Sequence, residues 1–231
     1  MIIFDIETKP RLDLVDRYLK KFDSEEVKTG NLKDPAKIAE KILQAEADYH
    51  RNAVEKAALN PITAEIIAIG VGEEGSQDIN ILSGTEDYIL DGFWSDFSSK
   101  FGSATPFVFW SGNGSPTDNF DIDFIIRRSW IVGVKVPQIA FNGKYLSNRF
   151  VDAAQRYLLG RRDAFCSLTR CADELGLYKA GSLLLPKSET DRVQGKNFWN
   201  FWEGTPEEHG MAVKYLNNDV NTLREIADRI L

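Results

Sequence analysis

The chain opens on a short alternating run, Ile2-Ile3-Phe4-Asp5-Ile6-Glu7-Thr8. Its period of two predicts a strand with Phe4 and Ile6 on one face and Asp5 and Glu7 on the other. Apolar density then falls. Residues 9–60 are dominated by Lys, Glu, Asp and Ala, and Asp34-Pro35 opens a helical run that reaches about Asn60-Pro61. Ile38, Ile42, Ala45 and Tyr49 give this helix a single apolar stripe, the pattern of an element with solvent on its other side. Two strands are predicted next, Ile66-Ile67-Ala68-Ile69-Gly70-Val71-Gly72 and Ile79-Asn80-Ile81-Leu82, joined by the turn-forming Glu73-Glu74-Gly75-Ser76. A helix over 87–101, an apolar strand over 106–110, a Gly- and Pro-containing loop over 111–117 and a helix over 121–130 follow. Residues 151–160 and 167–177 read as helices and 180–205 as irregular. Thr205-Pro206 caps a last helix that runs nearly to Leu231.

Strands that come early, with helices alternating and then following, predict an α/β fold with a mixed sheet. The expected organisation is one domain over 1–231, with about 9–60 inserted as a charged helical segment. Composition agrees with a globular protein: of 231 residues, 43% are hydrophobic and 27% charged. With 28 basic against 35 acidic residues, the net charge of −7 argues against a broadly basic surface for nucleic acid. No apolar run approaches the roughly 20 residues that cross a bilayer. The first residues lack the basic and apolar pattern of a secretory signal. The expected location is therefore the cytoplasm, that of a bacterial or phage-infected cell included, with no membrane partner. Cys166 and Cys171 are too few for a disulfide framework and have no soft ligands near them, so they read as two partly buried thiols.

Three groups of carboxylates carry candidate chemistry. Asp5 and Glu7 share a strand face, where they repel each other unless a cation lies between them; a hard divalent cation suits such oxygen ligands. Taken alone, the pair also fits a strand end with both acids in water. Tyr215 and Asp219, four apart on the last helix, lie on one face one turn from each other. They could hold a metal and a water, or be a half-buried Tyr beside a surface Asp. Asp121 follows an aromatic at a helix start in Asn119-Phe120-Asp121-Ile122-Asp123, where an acid also serves as an N-cap.

In this order, Asp-x-Glu-Thr on a strand, Phe-Asp opening a mid-chain helix, and Tyr-x-x-x-Asp on the last helix resemble the DEDD exonuclease superfamily. The tract from Phe150-Val151-Asp152 to Leu175-Gly176-Leu177 and the Lys196 segment are also similar to that family. The likeness is greatest to the proofreading exonuclease domain of family B DNA polymerases, here as a free-standing chain. The branch with a histidine five residues before the last Asp is not matched, since that position is Lys214 and His209 lies ten away; Tyr215 matches the tyrosine branch.

The resemblance implies an RNase H-like, five-stranded mixed sheet flanked by helices. It implies hydrolysis of single-stranded DNA from the 3′ end with two Mg²⁺ or Mn²⁺ ions, possible substrates including RNA. A separate DNA polymerase is a candidate partner, with proofreading or repair in trans, and a non-catalytic nucleic-acid-binding subunit is the rival of another class. By the same likeness Asp5 would bridge both metals, Glu7 and Asp219 would complete the first site, Asp121 would serve the second, and Tyr215 would orient water. Two departures from the family pattern stand out. The loop before Asp121 is long, so that Asn113 and Asn119 both compete to approach substrate, and Asp118 or Asp123 competes with Asp121. The 9–60 insertion is the other.

Thr8 and Lys196 are further candidates for contact with nucleic acid. The rings in Phe198-Trp199-Asn200-Phe201-Trp202 either stack unpaired bases or pack under a loop. Arg127-Arg128, Arg161-Arg162, Lys179, Lys187 and Arg192 are phosphate contacts or solvated faces. His50 is expected on the surface of the inserted helix.

Overall fold

The computed structural model describes residues 1–18, 20–100, 105–112, 120–161, 163–178, 184–185 and 192–231. Two compact units are present, one formed by Met1–Thr8 with Ile66–Leu231, the other by Lys9–Glu65. The larger unit is α/β. Its five-stranded mixed sheet has the order β3-β2-β1-β4-β7, built from β1 (Ile2–Pro10), β2 (Ala64–Glu73), β3 (Ile79–Ser83), β4 (Phe107–Phe109) and β7 (Phe150–Asp152). β1 and β4 are parallel with Ile3 opposite Val108, and β4 and β7 are parallel with Val108 opposite Val151. β2 and β3 are antiparallel, with Gly70 opposite Ile81. A separate two-stranded hairpin pairs β5 (Phe141–Asn142) with β6 (Tyr145–Leu146).

Alternation along β1 sends its apolar side chains to both faces of the sheet. Phe4 packs edge-on against Phe93 of α3 (Glu86–Lys100), ring centroids 5.2 Å apart, and lies 5.6 Å from Phe109. α4 (Phe120–Val132) packs with α3, and the Trp94 indole N–H donates to Ser129 Oγ at 2.8 Å. Ile3 points the other way, into a cluster with Val108, Leu216, Val220 and Leu223. That cluster is covered by the last helix, α8 (Pro206–Ile230), together with α5 (Ala153–Tyr157) and the short α7 (Phe198–Trp202), and α6 (Leu168–Glu174) also packs on α8. α8 begins where the sequence predicts: Thr205 accepts from the Glu208 N–H while the Glu208 carboxylate accepts from the Thr205 N–H, and Pro206 fills the first turn.

Residues 151–160 depart from the predicted helix. Phe150–Asp152 instead form the fifth strand, and only Ala153–Tyr157 are helical. The two β-prone residues Phe150 and Val151 complete the β4 ladder, and the Asp152 carboxylate caps α5 by accepting from Ala154 N–H at 2.9 Å. Arg128 also departs from expectation. It is 1% exposed and makes a two-pronged ion pair with Glu86, at 2.8 Å to Oε1 and 2.6 Å to Oε2. Glu86 Oε1 further accepts from Ile66 N–H at 2.8 Å, so this pair ties α3, α4 and the start of β2 together and is no phosphate contact. The rings of α7 pack as core: Phe198 is fully buried, and Trp199, Phe201 and Trp202 pack on the α8 cluster. Cys166 and Cys171 are free, buried thiols.

In the smaller unit, α1 (Leu12–Tyr18) packs on the long α2 (Pro35–Ala57). Asp34 caps α2 by accepting from Ala36 N–H at 2.9 Å, with Pro35 in the first turn. Ile38, Ile42, Ala45 and Tyr49 are its half-buried stripe, and His50 is exposed. Among the described residues, no helix is long and apolar enough to cross a membrane.

Candidate functional site

β1 and α8 meet face to face, and their acids meet with them. Ile3 lies in one buried cluster with Leu216 and Val220 of α8, and the period of the strand puts Asp5 and Glu7 on the same face of β1 as Ile3. Carboxylate oxygens of Asp5, Glu7 and Asp219 all lie within 4.8 Å of one another. Asp121, the second residue of α4, is buried beside them. One side of its carboxylate accepts from the Trp110 backbone N–H at the end of β4, while Oδ2 is buried with no hydrogen-bond partner among the described residues. The centre therefore lies midway along β1, beyond the C-terminal end of its shorter parallel neighbour β4, and strand C-terminal ends are the usual place for a ligand in an open α/β sheet. Tyr215, one turn before Asp219, hydrogen-bonds to it through its phenol, and its ring lies 6.0 Å from that of Phe198.

Close approach of α8 to the sheet depends on two glycines. A Cβ placed on Gly70 would lie 2.8 Å from Val220 Cγ2 and 3.1 Å from Leu216, and one on Gly72 would lie 3.0 Å from Val220 Cγ1. Hydrogen in place of a methyl lets the helix settle close enough for Asp219 to join the strand's acids.

Concentrated negative charge dominates the electrostatics. Burial holds Asp5 well above the ordinary carboxylate range, with Asp219 adding to the rise. Burial raises Glu7 likewise, followed by the charges of Asp5, Asp219 and Asp121. For Asp121 the causes are burial, Asp5 and then Asp152. Asp219 is pushed up to about 7 by burial, against the lowering effect of its hydrogen bond from Tyr215. The Tyr215 phenol is driven far above its usual value by burial and then by Asp219, Glu7 and Asp5, so it keeps its proton. Among the described residues, no Lys or Arg forms an ion pair with any of these four acids. Clustered acids with an orphaned buried oxygen and no basic partner fit a hard divalent cation, whose charge relieves the repulsion and whose ligands are oxygens.

Of the remaining sequence candidates, Thr8 is buried on β1 and Lys196 is exposed in the short 3₁₀ turn Gly195–Asn197. Asn113, Asn119 and Asp118 lie outside the described residues, as do Arg162, Lys179 and Lys187. Asp123 is half-buried two residues beyond Asp121, and Arg127, Arg161 and Arg192 are exposed. Sequence reasoning missed Asp152 as a site neighbour. Its carboxylate accepts from the Ser111 N–H at 3.3 Å and from the Ser111 hydroxyl, and its charge reaches Asp121. The available signal was an acid closing an apolar pair ahead of Ala153-Ala154, the pattern of an N-cap. Tyr178 was missed too: its phenol hydrogen-bonds with Thr222 and Thr169, within electrostatic reach of Asp219.

Comparison of the sequence with protein-family models and with curated proteins finds no match to either.

Proposed function

We propose that this chain is a metal-dependent 3′→5′ exonuclease of the tyrosine-branch DEDD type, hydrolysing single-stranded DNA. The observation that carries the reading is the convergence of Asp5, Glu7 and Asp219 within 4.8 Å, with Tyr215 one helical turn away. The order β3-β2-β1-β4-β7 is consistent with an RNase H-like sheet. The 3′ polarity and the choice of DNA rest on the resemblance of the motifs to the proofreading exonuclease domains of family B DNA polymerases.

Asp5, Glu7 and Asp219 would hold one cation, and Asp121, through its orphaned Oδ2, would reach a second. Two divalent cations supply a scissile phosphate with Lewis acidity on both the attacking and the leaving side. Tyr215 stays protonated and so is no base; with its one proton given to Asp219, its phenol oxygen would orient water by accepting from it. The hydrogen bond it gives Asp219 also fixes which way that carboxylate faces. Asp152 braces Ser111 beside Asp121, which keeps the end of β4 in place where a strand end would enter.

The test uses 3′-labelled and 5′-labelled single-stranded DNA and RNA, incubated with Mg²⁺, Mn²⁺ or chelator. Stepwise shortening of 5′-labelled DNA, with mononucleotides released from the 3′ end and no product from Asp5→Ala, is the expected result. Faster digestion of RNA moves the assignment to an exoribonuclease. Absence of metal-dependent cleavage of either polymer overturns the enzymatic reading.

A further inference from the structure

Between Lys9 and Glu65 the chain carries 11 basic and 11 acidic residues, so its whole excess of negative charge falls outside this unit. Within the unit the cations are gathered unevenly. A recess of about 630 Å³ is bordered by Lys20, Lys21, Lys28 and Lys41. All four lysines are exposed, and among the described residues none is ion-paired. Two acids, Asp23 and Glu26, also border the recess, Asp23 accepting from Glu25 N–H at 2.9 Å, so four ammonium groups face two carboxylates and the rim keeps an excess of positive charge.

The recess has an aromatic wall. Phe22 and Tyr49, both half-buried, lie with ring centroids 5.6 Å apart at 54°, and His50 stands edge-on to Tyr49 at 5.8 Å. The Tyr49 phenol donates to the Lys20 carbonyl at 2.8 Å, which ties α2 to the lysine-bearing stretch and sets the wall in place before any ligand arrives. The volume falls within the ~300–1,000 Å³ of small-ligand clefts. A lysine rim over an aromatic platform suits a polyanion that also offers a flat, unpaired ring. A duplex hides its base faces, and an acidic peptide would use only the rim.

We infer that this recess is a second binding site, for single-stranded nucleic acid, with the lysines on backbone phosphates and the Phe22–Tyr49 wall stacking a base. The site goes beyond the proposed hydrolysis and stands whether or not the carboxylate centre is active.

Fluorescence anisotropy of a labelled oligothymidylate, measured on the full chain with chelator present, tests it. Two charge-matched doubles are compared: Lys21→Glu with Lys41→Glu at the recess, and Lys33→Glu with Lys56→Glu, two exposed lysines of the same unit that do not border it. The recess double should bind at least ~10-fold more weakly and lower the salt slope by about 1.4, the share of two phosphates on a single strand. The other double should change affinity less than ~3-fold, while Phe22→Leu, which keeps apolar volume but removes the ring, should weaken binding ~3- to 10-fold. Circular dichroism identical to wild type confirms that the lysine variants fold. Equal losses in the two doubles, or no binding by the wild type, overturn the inference. So does displacement of the strand by dTMP or by polyglutamate at matched charge concentration.

Discussion

Gly70 on β2 lies directly beneath Val220 on α8, and a Cβ on that glycine would stand 2.8 Å from Val220 Cγ2. Asp219 is the neighbour of Val220, so the closeness of this glycine to the helix governs where the third acid of the cluster sits.

Gly70→Val should therefore act on both stability and chemistry. Val220 is β-branched and stiff in a helix, so the helix must shift instead of the side chain. Overpacking of this kind costs about 1–3 kcal/mol. Thermal unfolding should show a lower midpoint, and hydrolysis should fall further than stability alone accounts for. Gly70→Ala should be milder, because lost freedom in the unfolded chain offsets part of the crowding, by about 0.4–1 kcal/mol.

How legible this was in the sequence differs from residue to residue. Asp5 with Glu7 and Tyr215 with Asp219 could be paired on paper, because each pair lies within one element and obeys its period. That the two pairs converge depends on Gly70 and Gly72, whose role is a close approach between elements about 150 positions apart and so leaves no local pattern. Arg128 misled because its partner Glu86 is 42 residues upstream, and a basic pair on a helix looks the same whether solvated or buried. Phe150–Asp152 misled because a three-residue strand running into a helix has no room to show a period of two.

The Glu86–Arg128 ion pair gives a prediction about stability without chemistry. Arg128 is buried and Glu86 nearly so, and removing one partner strands the other's charge. Arg128→Met should destabilise by about 3–5 kcal/mol, read as a lower unfolding midpoint in denaturant. The metal concentration that half-saturates the protein should stay unchanged, because the pair lies outside the carboxylate centre.

Stability without metal should fall as pH rises. Asp219 has a folded value of about 7 against an ordinary 3.8, so between these the folded state binds more protons than the unfolded one. That contribution is favourable at the acid end of the window and is lost as the pH climbs through it; Asp5, Glu7 and Asp121 are raised in the same direction. The chelated protein should thus melt higher near pH 5 than near pH 8. Mn²⁺ at 100 times its dissociation constant adds about 2.7 kcal/mol, so it should raise the melting point at pH 8 above that of the chelated protein. A chelated protein that gains stability from pH 5 to 8 contradicts this.

Tyr215→Phe separates binding from chemistry. The ring keeps its contact with Phe198, while the hydroxyl that hydrogen-bonds to Asp219, and that would orient water in the proposed mechanism, is lost. Metal affinity should be little changed and the single-turnover rate should drop on the order of 10²-fold, the scale of a misplaced reacting group. A variant with wild-type turnover would remove Tyr215 from the mechanism.

Calorimetric titration of Mn²⁺ into wild type and Glu7→Gln at neutral pH tests the carboxylate centre most directly. Wild type should give saturable binding accompanied by proton release, because Asp219 and its neighbours must shed protons to become ligands. Glu7→Gln, which keeps the shape but removes one charge, should bind at least ~10-fold more weakly. The same isotherm for both proteins, or no saturable heat from wild type at millimolar Mn²⁺, would contradict a metal centre at Asp5, Glu7 and Asp219.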